Sequence, residues 1–260
     1  MIVVKRLSPE VGLIALNRPE KRNALTRALI EQLAQRLREA DVDASLRGVI
    51  LAGEGPSFCA GVDLEEFASG SVDSGRALIE ALAKLCATVR GISKPVVCAI
   101  QGHCLGGALE MAACCDLRVC APDARLGMPE VFLGIPSVID AVMLVRHVGA
   151  GRAHELLLTG ESIDAQTAYA WGLANHLAPP ERLLESTLDV LRQVTRHDPS
   201  VIAAQKRLHQ AWLDLAYTEA VGRSIEPLLE AFRAGRPQAL AAQRLQARPQ
   251  LRHEAGGSDE

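Results

Sequence analysis

Two glutamates stand where a carboxylate is costly. Glu110 is surrounded by Leu105, Ala108, Leu109, Met111 and Ala112. Glu130 follows Gly127-Met128-Pro129 and precedes an uncharged run over 131–139. A carboxylate in apolar company is unfavourable unless it is paired, hydrogen-bonded or protonated. Such surroundings raise its pKa toward neutrality, the range that suits general acid/base work. The stretch between the two reads as a helix, a strand and a turn, so both can return to one cleft. The competing reading of each is a helix-terminal or surface glutamate.

Glycine and small residues crowd two further segments. The first is 53–63, GEGPSFCAGVD, and the second is 102–110, GHCLGGALE. Glycine lets a backbone approach a ligand closely and take dihedral angles that other residues resist. Each segment opens into a helix, so backbone N–H groups point outward at a positive dipole end. Two such groups aimed at one point stabilise a developing oxyanion. Taken alone, each segment is weak evidence and reads more readily as a tight turn, because glycine is common in such turns. Neither is a phosphate cradle: the first lacks the Lys-Ser/Thr of a P-loop, and the second is not G-x-G-x-x-G.

The histidines and cysteines carry less. Among His103, His147, His154, His176, His197, His209 and His253, only His103 lies in a glycine-rich segment. No two of them have metal-ligand spacing, and no G-x-S-x-G elbow is present, so no metal site is expected. The seven cysteines (Cys59, Cys86, Cys98, Cys104, Cys114, Cys115 and Cys120) are odd in number and form no C-x-x-C pair. They read as small buried hydrophobes in a reducing cytosol rather than disulfides or zinc ligands.

The elements that must position these residues alternate between short apolar strands and amphipathic helices. Residues 2–5 and 11–16 read as a strand pair joined through Ser8-Pro9. Leu25, Leu29, Leu33 and Leu37 recur every four residues and predict a helix over 26–40. GVILA at 48–52 is a buried strand. Leu78, Leu82, Leu85 and Val89 mark a helix stopped by Gly91 and Pro95. PVVCAI at 95–100 is a further buried strand, followed by a glycine-rich turn, a helix over 107–115 and a strand over 117–120. Such alternation argues for an α/β class with largely parallel pairing. After Pro199 the pattern is helical. The expected organisation is a core at 1–198, a helical region at 199–249 and a disordered tail at 250–260.

Composition narrows the partners. At 48% hydrophobic and 23% charged residues the chain is an ordinary globular one, not a disordered one. A net charge of −3 and only two Trp, two Tyr and four Phe argue against a nucleic-acid or anionic-membrane surface. Positive charge gathers late, at Lys206, Arg207, Arg223, Arg233, Arg236, Arg244, Arg248 and Arg252. It reads as solvated helix faces, or as one or two contacts to a ligand phosphate. The run 95–109 is too short and too interrupted to span a membrane. The opening MIVVKRLSPE carries strand-like residues and no signal-peptide core, so a cytoplasmic protein is expected.

Five segments, in order and over nearly the whole chain, resemble the crotonase (enoyl-CoA hydratase/isomerase) superfamily. They are LNRPEKRNALT at 16–26, SFCAGVDLEEF at 57–67, IQGHCLGGALEMAACCDLRV at 100–119, GMPEVFLGIPS at 127–137 and LTGESIDAQTAYAWGLANHLAP at 158–179. The resemblance implies a spiral of ββα units with C-terminal helices used in trimer assembly, and trimers that stack into hexamers. It implies an acyl-CoA thioester as partner, no cofactor apart from the coenzyme A of the substrate, and a place in fatty acid metabolism. It assigns Glu110 and Glu130 to catalysis and the backbone N–H groups of Ala60 and Gly107 to an oxyanion hole. Arg22, Ala24, Gly61, Val62, Asp63, Leu64, Gly106, Pro129 and Ser137 are the substrate-binding positions it implies.

With both glutamates present, the implied reaction is reversible syn addition of water across C2=C3 of a 2-enoyl-CoA. Glu110 would activate the water and Glu130 would deliver the proton to C2. Isomerases, hydrolases and decarboxylases of the superfamily commonly lack one of the two. An isomerase, a dehydratase of a specialised hydroxyacyl-CoA and a non-catalytic acyl-CoA or RNA binder are the rival readings. The chain departs from the family pattern in three places. Ser137-Val138-Ile139-Asp140 replaces a frequent Gly-x-Gly-Gly turn, Glu65 stands where lysine is frequent, and Ala108 where glycine is frequent.

Overall fold

The computed structural model describes residues 1–246; the expected tail at 250–260 and the last residues of the expected helical region lie outside them. The described residues form two compact units, one over Met1–Lys206 and one that begins at Arg207.

The first unit is built on a six-stranded sheet in the order β1-β2-β3-β4-β6-β9. Its strands are β1 (Ile2–Ser8), β2 (Val11–Leu16), β3 (Gly48–Gly53), β4 (Val96–Ile100), β6 (Leu117–Cys120) and β9 (His176–Leu177). β1 and β2 are antiparallel, and every later pairing in this sheet is parallel. The inner strands are buried on both faces, which is why they read as continuous apolar runs rather than alternating ones.

A second sheet of three strands, β5 (His103–Leu105), β7 (Arg125–Gly127) and β8 (Ser162–Asp164), lies past the ends of the first. β4 leads into β5 and β6 into β7, and the parallel pairing repeats in both sheets. Cys59 bridges Cys104 in the same sense, so the segment after β3 adds another rung. This repeated step from strand to strand to helix is the ββα spiral. β5 corrects the sequence reading, in which 102–110 was a turn leading to a helix. Three residues are too few to show a period of two, and the glycines around them dominate the pattern.

Helices brace the spiral. They are α1 (Arg27–Val42), α2 (Leu64–Ala68), α3 (Val72–Gly91), α4 (Gly107–Ala113), α5 (Val142–Val148), α6 (Ala150–Thr159), α7 (Ala165–Trp171) and α8 (Leu183–Thr195). α1 starts where the Thr26 hydroxyl accepts the Leu29 N–H at 3.2 Å, and it buries the Leu29-Leu33-Leu37 stripe with Ile30. α3 carries the matching stripe Leu78, Leu82, Leu85 and Val89 and packs on α1. α8 lays Leu183, Val190 and Leu191 over Ile50, Val97 and Val119 of the sheet.

α9 (Pro199–Asp214) crosses from the first unit to the second, whose own helices are α10 (Tyr217–Arg223), α11 (Ile225–Arg233) and α12 (Arg236–Gln246). Within the first unit, Lys206 is held by Asp116 at 2.5 Å and by the Lys94 carbonyl at 2.9 Å. Its ammonium is therefore a structural clamp and not a free phosphate contact. Among the described residues no helix is long and apolar enough to cross a membrane.

Candidate active site

Glu110 is the fourth residue of α4, a helix whose seven residues are all buried. The carboxylate is carried inward with them and is only 3% exposed. Burial pushes its pKa up to about 8, and the neighbouring charges of Glu130 and Asp140 act in the same direction. One hydrogen bond opposes this: the Asp140 backbone N–H donates to Glu110 Oε2 at 3.2 Å. Burial therefore favours the protonated form of this carboxyl.

Glu130 arrives from the other side, on the 3-10 turn Pro129–Leu133, and is half-buried. Its Oε2 accepts the Ser137 hydroxyl at 3.0 Å. A Cβ at Gly106 would lie 2.5 Å from Glu130 Oε1, and Gly106 has φ +55. Only glycine meets both conditions, so Gly106 lets the second carboxylate reach the start of the helix that carries the first. The structure thus brings Glu110, Glu130, Gly106 and Ser137 together.

The segment 53–63 is not a free loop. Phe58 N–H donates to Gln101 O at 2.7 Å, Cys59 N–H to His103 O at 2.8 Å, and Leu105 N–H to Cys59 O at 3.2 Å. Asn23, fully buried and at φ +57, latches it from below. Its amide donates to Glu54 O at 2.9 Å and Ser57 O at 2.8 Å, and its oxygen accepts Arg18 N–H at 2.8 Å. A Cβ at Gly61 would meet Leu105 O at 2.7 Å, so the two glycine-rich segments touch here.

This register corrects one assignment. The Ala60 N–H already donates to Arg22 O at 2.9 Å and is not available to a ligand. Leu25 N–H donates to Gly61 O and Asp63 N–H to Leu25 O, which leaves the N–H of Val62 between them. Among the described residues Val62 N–H has no partner, and neither does Gly107 N–H at the open start of α4. Val62 follows the Gly61–Leu105 contact by one residue and Gly107 follows it by two. The pair of unused donors is Val62 and Gly107. Spacing gives no signal for this choice, because it depends on how 60–63 pairs with 22–25.

The remaining expected positions divide. Asp63 is buried and caps α2, accepting Glu65 N–H at 3.0 Å and Glu66 N–H at 3.1 Å, while its other oxygen pairs with Arg18. Burial works against its charge, but Arg18 and the cap hydrogen bonds hold its pKa below the usual range. It builds the site rather than lining it. Arg22 and Leu64 are exposed, Ala24 and Pro129 half-buried. Glu65, at the position where the family frequently has lysine, is paired with Lys21. His103 Nδ1 lies 3.1 Å from the Ser57 hydroxyl, and burial followed by Arg22 and Arg125 lowers its pKa.

Asp140 carries a further finding. It sits on the turn Ile139–Ala141, is 7% exposed, and its carboxylate pairs with Arg90 of α3. Ile139 beside it has φ +51, a left-handed conformation that a β-branched residue rarely adopts and that costs about 1–3 kcal/mol. Arg90 gave no sequence signal beyond being a cation in the last turn of an amphipathic helix.

Comparison with known proteins finds relatives over most of the chain. Residues 7–232 match the family described as Enoyl-CoA hydratase/isomerase. The 2,3-dehydroadipyl-CoA hydratase of Escherichia coli K12 is 37% identical over 207 residues, covering 79% of this chain and 80% of that protein. The mevalonyl-coenzyme A hydratase sidH of Aspergillus fumigatus is 34% identical over 234 residues, covering 88% and 85%. A crystal structure of an enoyl-CoA hydratase from Bacillus anthracis superposes with a TM-score of 0.84 at 30% identity, over 90% of this chain and 96% of that one. The chain has the crotonase fold and belongs to the enoyl-CoA hydratase/isomerase family.

Proposed function

We propose that this protein is an enoyl-CoA hydratase, a hydro-lyase that reversibly adds water across C2=C3 of a 2-enoyl-CoA thioester. The convergence of Glu110 and Glu130 at the glycine-rich start of α4 carries this reading. The thioester carbonyl docks on the N–H groups of Val62 and Gly107, which stabilise the enolate that forms as C3 is attacked. Glu110 takes a proton from the attacking water and Glu130 gives one to C2 on the same face. Ser137, donating to Glu130, orients that carboxyl. Dehydration follows the same path in reverse.

The proton count is the same at both ends. Before hydration Glu130 holds the shared proton, and afterwards Glu110 holds it. The buried Glu110 favours the second arrangement in the free enzyme. No redox step occurs, so the chemistry calls on no cofactor beyond the coenzyme A of the substrate. We further assign the protein to the cytoplasm and to a homotrimer or a hexamer of stacked trimers. Exposed apolar residues on α10 and α11 support assembly: Val221, Ile225, Leu228 and Phe232 follow one another at three- and four-residue spacing.

The test is the ultraviolet absorbance of crotonyl-CoA incubated with purified protein, with Glu110→Gln alongside. Loss of the conjugated-thioester signal with the wild type alone supports hydration through Glu110. Binding of crotonyl-CoA without loss of signal overturns the hydratase reading in favour of an isomerase, a specialised dehydratase or a non-catalytic binder.

A further inference from the structure

Behind Glu110 lies a cluster that the reaction itself does not use. Cys86 of α3, Cys114 at the end of α4 and Asp140 are all buried, with their Sγ and carboxylate atoms within 4.8 Å of one another. The cation of this cluster is already in place. Arg90 Nη1 pairs with the Asp140 carboxylate and lies 3.2 Å from Cys114 Sγ. A metal ion there would have to displace a guanidinium that is itself three-quarters buried.

The cluster touches the site through one turn. Asp140 faces Arg90 with its carboxylate and Glu110 with its backbone N–H. The left-handed Ile139 immediately before it persists only where surrounding contacts over-determine the backbone. The Arg90 pair is such a contact, because it ties the turn to α3 across the buried end of α4. It also answers an electrostatic problem, since this turn places a third carboxylate beside two that must share a proton.

We propose that Arg90 and Asp140 are positioning residues for Glu110. The ion pair pins the Ile139–Asp140 turn so that the Asp140 N–H aims the Glu110 carboxyl, and the guanidinium cancels the charge the turn brings with it. The kinetic part of this inference rests on the hydratase reading; the effect on Glu110 does not. The titratable and charged groups around Glu110 are Glu130 and Asp140 from the two turns, Arg90 and Cys86 from α3, and Cys114 from the end of α4. Removing one member of the pair leaves the other's charge uncompensated, so the two deletions have opposite signs.

The experiment compares Arg90→Gln, Asp140→Asn and the double variant. Glu110 is titrated by infrared spectroscopy of protein labelled with carbon-13 glutamate, using Glu110→Gln to identify its band. The pH dependence of kcat/KM on crotonyl-CoA is measured in parallel. Arg90→Gln is expected to raise the Glu110 midpoint by roughly half to one pH unit, and Asp140→Asn to lower it by a similar amount. The double variant returns to near the wild-type midpoint. In the single variants kcat falls while KM for crotonyl-CoA changes little.

Midpoints that stay put, or that move in the same direction in both single variants, overturn the proposal and leave a purely structural ion pair. If Arg90→Gln does not fold, Asp140→Asn and Arg90→Lys decide. The first must still lower the midpoint and the second must keep it. Opposite shifts in a protein that hydrates nothing would uphold the pair and sink the hydratase reading. Turnover with unmoved midpoints would do the reverse.

Discussion

At the scale of single residues, the burial of Glu110 makes stability depend on pH. Its pKa is about 8 in the folded protein against an ordinary 4.5, so folding favours its protonated form. The stability this contributes is fully present below about 4.5 and is lost as pH rises through about 8. Glu110→Gln is therefore expected to gain on the wild type in denaturant unfolding across that window, by on the order of a few kcal/mol at pH 9. The same substitution should cut kcat by at least about 100-fold, the usual worth of a general acid/base group. Loss of stability at pH 9, or near-normal turnover, would remove Glu110 from this account. The pH dependence of the reaction follows from the shared proton. Hydration and dehydration both need one proton on the pair, so kcat/KM in both directions should fall together as pH passes about 8. Their ratio stays constant, because the overall reaction neither takes up nor releases protons. Diverging limbs would contradict the proposed proton count. The burial of Glu110 was legible in the sequence from its apolar surroundings, whereas Glu130, in similar company, is only half-buried. Val62 was not legible, because a backbone donor has no side-chain identity and its freedom depends on which neighbours have already bonded.

At the scale of elements, the site depends on places where backbone approaches something closely. Gly106→Ala puts a methyl group 2.5 Å from Glu130 Oε1 at a positive φ. It is expected to lose about 1–3 kcal/mol of stability and most of its turnover, measured by chemical denaturation and crotonyl-CoA hydration. Ala108→Gly is the matched control two positions on, and should cost up to about 1 kcal/mol through helix propensity while keeping activity. Equal activity in the two variants would mean that Glu130 is not the group Gly106 makes room for. Element lengths also explain which parts of the fold were readable. α1 and α3 run long enough to show their helical period, and β2, β3 and β4 long enough to stand out as continuous apolar runs; their sequence-based positions agree with the structure within a few residues at most ends, although α3 begins at Val72, ahead of its first marker leucine. β5, β7 and β8 have three residues each and β9 has two, so they exist only through pairing with partners distant in the chain. The turn at Ile139 was likewise hidden: a β-branched residue gives no warning of a left-handed backbone.

At the scale of the whole molecule, assembly and folding make separate demands. Equilibrium sedimentation is expected to give a mass three or six times 27.8 kDa. Charges introduced at Ile225 and Phe232 of the exposed α11 stripe should shift the protein toward smaller species. A wild-type monomer would refute the assembly proposed here. The crossing from strands to helices near Pro199 was legible as a change of period, whereas the two compact units meet inside α9, at Lys206 and Arg207, where the helical pattern continues unbroken. The cysteines give this architecture a practical handle. All seven are free and buried, and all lie in the first unit. A thiol-specific dye therefore has nothing to label in a native molecule and seven targets in one whose first unit has opened. Its rate of uptake counts openings of the sheet and its braces one molecule at a time, a built-in clock for the part of the chain that holds the glutamates.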